Sequence, residues 1–162
     1  MLTIRNASVQ DISLIRNLSL KVWPQTYSRI ISSQQISYML DLMYSEKALQ
    51  KQFEDHHRFI IIYNEAIPVG FASYSEITPN IYKLHKIYVL PDNQGRGTGK
   101  FVIDHIVNDI RTKGATSFLL NVNRNNPAKT FYEKIGFEVV GTDDIDIGGG
   151  FLMNDYVMSL KL

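Results

Sequence analysis

The sequence contains no cysteine. That absence excludes a disulfide scaffold, a Cys-ligated zinc site, an iron–sulfur cluster and any cysteine nucleophile. No apolar run approaches the ~20 residues that a membrane span needs. Met1 to Gln10 has no apolar core of the kind a secretory signal carries. The sequons Asn6-Ala7-Ser8 and Asn17-Leu18-Ser19 therefore carry little weight. Internal repeats, low-complexity tracts and Pro/Gly-rich linkers are lacking too. Net charge is small, with 17 Lys/Arg against 16 Asp/Glu, and by itself selects no partner. These absences leave a cytoplasmic, globular protein with no membrane partner and no metal as the expectation.

What is present suits one domain spanning 1–162. The chain has 162 residues, 44 % of them hydrophobic and 20 % charged. A chain of that size buries roughly two-thirds of its unfolded surface and needs no metal to fold. Charge is unevenly spread. Residues 81–134 hold nine Lys/Arg against four acids, and residues 135–162 hold one Lys against five acids. The middle block favours an anion and the last a cation. Read as ordinary surface charge, neither block means more than solvation. No helix shows the one-faced basic stripe of a DNA reader, so nucleic acid is not an expected partner.

The hydrophobic spacing predicts a first strand at Leu2 to Arg5 and a helix from about Val9 to Lys21, capped by Ser8. Ser33 and Ser45 open two further helical stretches. Strands follow at Arg58 to Tyr63, Ile67 to Ile77 and Tyr82 to Leu90. A helix over about 97–112 turns Phe101, Val102, His105, Ile106 and Ile110 inward. Ser117 to Val122 is a strand, Pro127 starts a helix that Gly136 closes, and Phe137 to Val140 and Phe151 to Leu160 are closing strands. The pattern implies an α/β fold, a mixed sheet with helices on both faces. In such sheets ligands bind beyond the C-terminal ends of central strands, so the junctions at 90–97 and 122–128 are the places to look.

The first junction reads Leu90-Pro91-Asp92-Asn93-Gln94-Gly95-Arg96-Gly97-Thr98-Gly99-Lys100. A strand runs into three alternating glycines and then a helix, the arrangement that offers backbone N–H groups to a phosphate. A Walker A loop fails, because Gln94 stands where its first Gly belongs and Phe101 where Ser or Thr should follow Lys. A Rossmann fingerprint fails, because Lys100 replaces its third Gly. A third pattern, Gln/Arg-x-x-Gly-x-Gly/Ala, is met by Gln94, Gly97 and Gly99. About thirty residues on, Asn125-Asn126-Pro127-Ala128 leads into Tyr132-Glu133-Lys134-Ile135-Gly136-Phe137. Together these motifs resemble the two signatures of the GNAT superfamily of N-acetyltransferases, and the likeness extends over nearly the whole chain.

The resemblance implies a GNAT fold, its mostly antiparallel sheet splayed at the cofactor site. It implies acetyl-CoA as cosubstrate and a primary amine as acceptor. Gln94, Gly95, Arg96, Gly97, Thr98, Gly99 and Lys100 then form the diphosphate loop. The backbone of Ile87, Tyr88 and Val89 pairs with pantetheine, and Asn125 and Ala128 complete the cofactor set. Tyr132 matches the residue that protonates the departing thiolate, or is a core aromatic with Phe131 and Phe137. His85 and Glu76 are alternative bases for the amine, with water as a relay. Lys83, on the same face as His85, argues against a cationic amine there. Trp23 and Tyr27 either wall the acceptor slot or belong to the core, with Tyr38 and Tyr44 further along. Asp143, Asp144, Asp146 and Asp155 suit a cation such as a polyamine. A Trp-Pro-x-x-Tyr start and a Gly-Gly-Phe-Leu-Met run resemble the polyamine acetyltransferases of the family. A homodimer through the last strand is also implied. The alternatives are a non-catalytic acetyl-CoA sensor and an enzyme acting on protein N-termini or lysines.

Overall fold

A computed structural model describes residues 1–162. Seven strands form one hydrogen-bonded order, 1-2-3-4-5-7-6 in chain numbering. They are β1 (Leu2–Asn6), β2 (Arg58–Asn64), β3 (Ile67–Thr78), β4 (Ile81–Val89), β5 (Ser117–Asn123), β6 (Glu138–Gly148) and β7 (Phe151–Lys161). The helices are α1 (Ile12–Tyr27), α2 (Ser33–Tyr44), α3 (Glu46–Glu54), α4 (Thr98–Arg111) and α5 (Ala128–Lys134). β1–β2, β2–β3, β5–β7 and β6–β7 pair antiparallel, and β4–β5 pair parallel. The mixed α/β, mostly antiparallel sheet expected from the sequence is present. No helix is long and apolar enough to cross a membrane.

Contacts divide the chain into two compact units. The first comprises Met1–Ser75 and Lys86–Ile103. Its core is β2, whose Phe59, Ile60, Ile61 and Ile62 are all buried, a run covered on both faces. Ile15, Leu18, Val22 and Trp23 of α1 are buried as well. The capping box expected at Ser8 closes a single 3-10 turn, Val9–Asp11, that leads into α1: Ser8 Oγ accepts from Gln10 N, and Asp11 Oδ2 accepts from Ser8 N. Arg5 grips both oxygens of Asp11 at 3.0 Å.

α1 runs past the expected stop at Lys21, through Pro24, to Tyr27. Pro24 cannot donate to the helix ladder, so this last stretch is held by packing rather than by propensity. Trp23 and Tyr27, four apart, fall on one face, with their rings 4.4 Å apart. α4 buries Val102, Ile106 and Ile110 as expected and adds Ile103 and Val107, whereas Phe101, 39 % exposed, and His105 lie outside.

The second unit comprises Glu76–His85 and Asp104–Leu162. Its parallel ladder pairs Ile81–Leu84 with Ser117–Leu120 and stops there, leaving His85–Val89 of β4 beyond it. β6 continues well past the expected Val140 to Gly148, because β7 offers it a partner along that length. His56 takes a left-handed φ of 66° in the turn before β2.

Candidate active site

The glycine loop occupies the junction between β4 and α4. Gly95 and Gly97 have φ of 73° and 77°, a conformation that side chains tolerate poorly. Neither has an atom within 4 Å of where a Cβ would stand, so the space before the loop is open. The first helical bond is Phe101 N to Gly97 O, 3.0 Å. The amides of Thr98, Gly99 and Lys100 therefore lie in the first turn, outside the helical ladder, beside the positive end of the dipole. Left-handed glycines followed by such a turn form a concave nest that fits a diphosphate. Arg96 and Lys100 are exposed here.

Two side chains of the motif serve the loop itself. Gln94 Nε2 donates to Val89 O at 2.8 Å, and Thr98 Oγ1 donates to Asn93 O at 2.8 Å. Asn64 Nδ2 donates to Asn93 Oδ1 at 3.0 Å, tying the loop to β2. Only the backbone of Gln94 and Thr98 is thus left to face a ligand.

Behind the loop, alternation on β4 puts Lys86 and Tyr88 on one face, with Tyr82 and Leu84. Tyr88 donates to or accepts from the Tyr27 hydroxyl at 2.9 Å. Its ring lies 5.7 Å from Trp23 and 5.8 Å from Phe71. Trp23 also meets Tyr44 edge-on at 5.7 Å. Trp23 and Tyr27 are therefore joined by Tyr44 and Tyr88 into one aromatic group. Lys86 Nζ stands 5.1 Å from the centre of the Tyr44 ring. The lysine is buried, and burial alone pushes its pKa down to about 8. Burial likewise pushes the Tyr44 phenol up, its largest influence. β3 approaches this strand at Gly70, where a Cβ would lie 2.4 Å from Tyr88 O. Lys86 and Gly70 were missed from the sequence. The signal for Lys86 was a lysine set in the apolar alternation of β4.

In the second unit, Tyr132 is buried on α5, with Phe131 at 5.3 Å and Phe137 at 5.7 Å. Just before that helix, Asn126 Oδ1 accepts from Ala128 N at 2.9 Å. Asn125 is exposed and Ala128 half-buried. His85 is half-buried just past the end of the β4–β5 ladder. Glu76 is exposed and its Oε2 accepts from Asn80 N at 3.1 Å, closing the turn between β3 and β4.

The acidic run is largely occupied. Asn121 Nδ2 donates to Asp143 at 3.1 Å and to Asp155 at 3.3 Å. Asp144 pairs with Arg124 at 2.7 Å, and Asp146 accepts from Gly148 N at 2.9 Å. Asp155 is buried, and desolvation, reinforced by Asp143, raises its pKa, while Asn121, Lys83 and Arg124 oppose the rise. Lys83 thus has Asp155 to balance it.

Comparison with known proteins agrees with this geometry. A family model described as an acetyltransferase (GNAT) domain matches residues 28–160. The N-acetyltransferase YuaI of Bacillus subtilis (strain 168), itself uncharacterised, is 28 % identical over 160 residues, covering 92 % of this chain and 87 % of its own. The spermidine N(1)-acetyltransferase of Thermoplasma acidophilum is 28 % identical over 149 residues, 88 % of this chain and 92 % of its own. A crystal structure of the PaiA N-acetyltransferase from T. acidophilum in complex with coenzyme A superposes with a TM-score of 0.84 at 24 % identity. It covers 100 % of this chain and 99 % of that one.

Proposed function

Because the chain belongs to the acetyltransferase (GNAT) family, we propose that it moves the acetyl group of acetyl-CoA to a primary amine of a small molecule, directly, in a ternary complex. The observation that carries this reading is the loop at Gly95 and Gly97, left-handed and open at both Cβ positions. Acetyl-CoA supplies a thioester whose carbonyl carbon is the electrophile. The backbone amides of Gly95 to Lys100 hold its diphosphate. Backbone groups of Ile87 to Val89 hold the pantetheine arm and polarise the carbonyl, a contribution of about 3 kcal/mol in comparable oxyanion sites. Asn125 and Ala128 complete the cofactor contacts.

The amine nitrogen attacks the carbonyl carbon, the carbon–sulfur bond breaks, and CoA leaves as a thiolate. Tyr132 gives that thiolate its proton. The amine loses a proton to His85 or, through water, to Glu76. His85 is the better of the two, since Glu76 already closes a turn. Without cysteine, no acetyl-cysteine intermediate forms. Trp23 and Tyr27, with Tyr44 and Tyr88, wall the acceptor slot. The relative that acetylates spermidine makes a polyamine the first acceptor to test. We also read the molecule as a homodimer.

The test is thiol release from acetyl-CoA against polyamines, amino acids, aminoglycosides and short peptides. Turnover on one class, lost in Tyr132→Phe, is the expected result. Tight CoA binding with no release on any class would point to a sensor. Release on peptides alone would point to a protein acetyltransferase.

A further inference from the structure

The Lys86 ammonium is buried without a counter-ion. It is 8 % exposed, and the group it meets is the face of Tyr44. Charges are almost never buried unpaired, because several kcal/mol of hydration are forfeited. The cost is that much harder to explain on a strand where leucine or valine would pack without it. Two further buried polar atoms of the same unit are unsatisfied. Trp23 Nε1 is buried and makes no well-formed hydrogen bond, the Tyr44 hydroxyl being the group it influences. Ser73 Oγ has no partner, and Ser73 is fully buried on the face of β3 that also carries Phe71. The Phe71 ring is 6.0 Å from Tyr44 and 5.8 Å from Tyr88. Orphaned buried groups are rare enough that each asks for an explanation.

The chemistry of the set is one-sided. α1 contributes the Trp23 N–H and the Tyr27 hydroxyl, α2 the Tyr44 ring and hydroxyl, β3 the Ser73 hydroxyl, and β4 Lys86 and the Tyr88 hydroxyl. None of these groups carries negative charge: Lys86 is a cation, the Trp23 N–H can only donate, and the hydroxyls turn their protons toward an arriving acceptor. Such a set suits an anion and opposes a second cation.

We propose that Lys86 and the donors around it seat the carboxylate of the acceptor, so that the enzyme acetylates an amino carboxylate rather than a polyamine. The inference rests on the acetyl-transfer reading above for the word acceptor, but the seat itself is tested without turnover. A bound carboxylate gives Lys86 its missing partner and the Trp23 N–H an acceptor. The lowered pKa of the free lysine fits a site built for an ion pair that is incomplete without ligand. A polyamine brings a second cation beside Lys86 and finds no carboxylate in the set to balance it.

Trp23 is the one tryptophan of the chain, so its fluorescence reports on this site alone. The probes are four amino acids and the amines left when each loses its carboxylate: phenylalanine and phenethylamine, methionine and 3-(methylthio)propylamine, lysine and cadaverine, arginine and agmatine, with spermidine added. They are titrated into the CoA-loaded protein and into Lys86→Met, whose fold is checked by circular dichroism and CoA affinity. At least one amino acid should shift the Trp23 signal saturably, with its decarboxylated amine roughly 30-fold weaker or worse. Lys86→Met should abolish that preference. Equal or better binding of the amines or spermidine overturns the proposal. So does an unchanged preference in Lys86→Met, or silence from every amino acid. Thiol release separates the two readings. Amino-acid binding without release defeats acetyl transfer and leaves the seat standing. Release on amines, indifferent to Lys86→Met, does the reverse.

Discussion

Tyr132 and Lys86 are both buried polar residues, and each has a different consequence when changed. Tyr132→Phe keeps the ring that packs on Phe131 and Phe137 and removes only the hydroxyl. Turnover should fall ~10²-fold or more, the range for a positioned general acid, with CoA affinity nearly intact. Steady-state kinetics beside equilibrium CoA binding checks this, and an unchanged rate removes Tyr132 from the mechanism. Lys86→Met removes a buried charge. The folded pKa is about 8, below the ordinary value, so the unfolded chain binds the extra proton between about pH 8 and 10.5. Stability from this group therefore rises with pH across that window, and below it the full penalty is present. Lys86→Met should gain about 2–3 kcal/mol at pH 7, and the gain should vanish above pH 10.5. Urea unfolding at pH 7 and pH 10 measures it. Equal gains at both values would show that charge is not the cause.

At the scale of elements, two glycines do different work. Gly97 needs its left-handed φ of 77°, and a Cβ there meets nothing. Gly97→Ala should cost about 1 kcal/mol of backbone strain and weaken CoA binding by at least as much, since the amide it carries shifts. Isothermal titration with CoA reads this, and full affinity would mean the loop does not hold the diphosphate. Gly70 has ordinary φ but no room, with Tyr88 O 2.4 Å from the Cβ position. Gly70→Ala should push β3 from β4 and disturb the Tyr27–Tyr88 hydroxyl pair, lowering the melting temperature more than Gly97→Ala does. The glycine loop was legible in the sequence because its conformational demand is local. Gly70 was not, because the demand comes from a strand some twenty residues away.

For the whole molecule, the last strand, β7, is not the open edge expected for a dimer, since β5 and β6 pair with it on both sides; β6 ends the strand order instead and exposes Val139, Val140 and Ile145, with Val140 at 62 %. An apolar, β-branched edge invites pairing with another strand. Sedimentation should give twice the chain mass, and Val140→Lys should give the monomer. A monomeric wild type would refute the dimer. Charge also looks different once folded. Lys113 pairs with Asp109, Lys129 with Glu133 and Arg124 with Asp144, so three of the nine cations of the basic middle block are held in ion pairs, one of them to the acidic tail. The acidic tail is engaged in the same way, by Asn121, Arg124 and the Gly148 amide.

Element order, the sheet class, the glycine loop and the helix of Tyr132 were determined by the sequence itself. Each depends on periodicity, caps and glycine positions that act within a few residues, and such signals survive in one dimension. The tertiary structure decided which charges remain unpaired. It extended α1 through Pro24, because packing of Trp23 and Tyr27 outweighs the lost hydrogen bond. It put Ile103 and Val107 of α4 inside and left Phe101 and His105 outside. It closed aromatic groups from α1, α2, β3 and β4 around Lys86, where burial rather than neighbouring sequence sets the energy of a charge. Desolvation is a property of everything that surrounds a group, and those surroundings come from segments as distant as Trp23 and Tyr88.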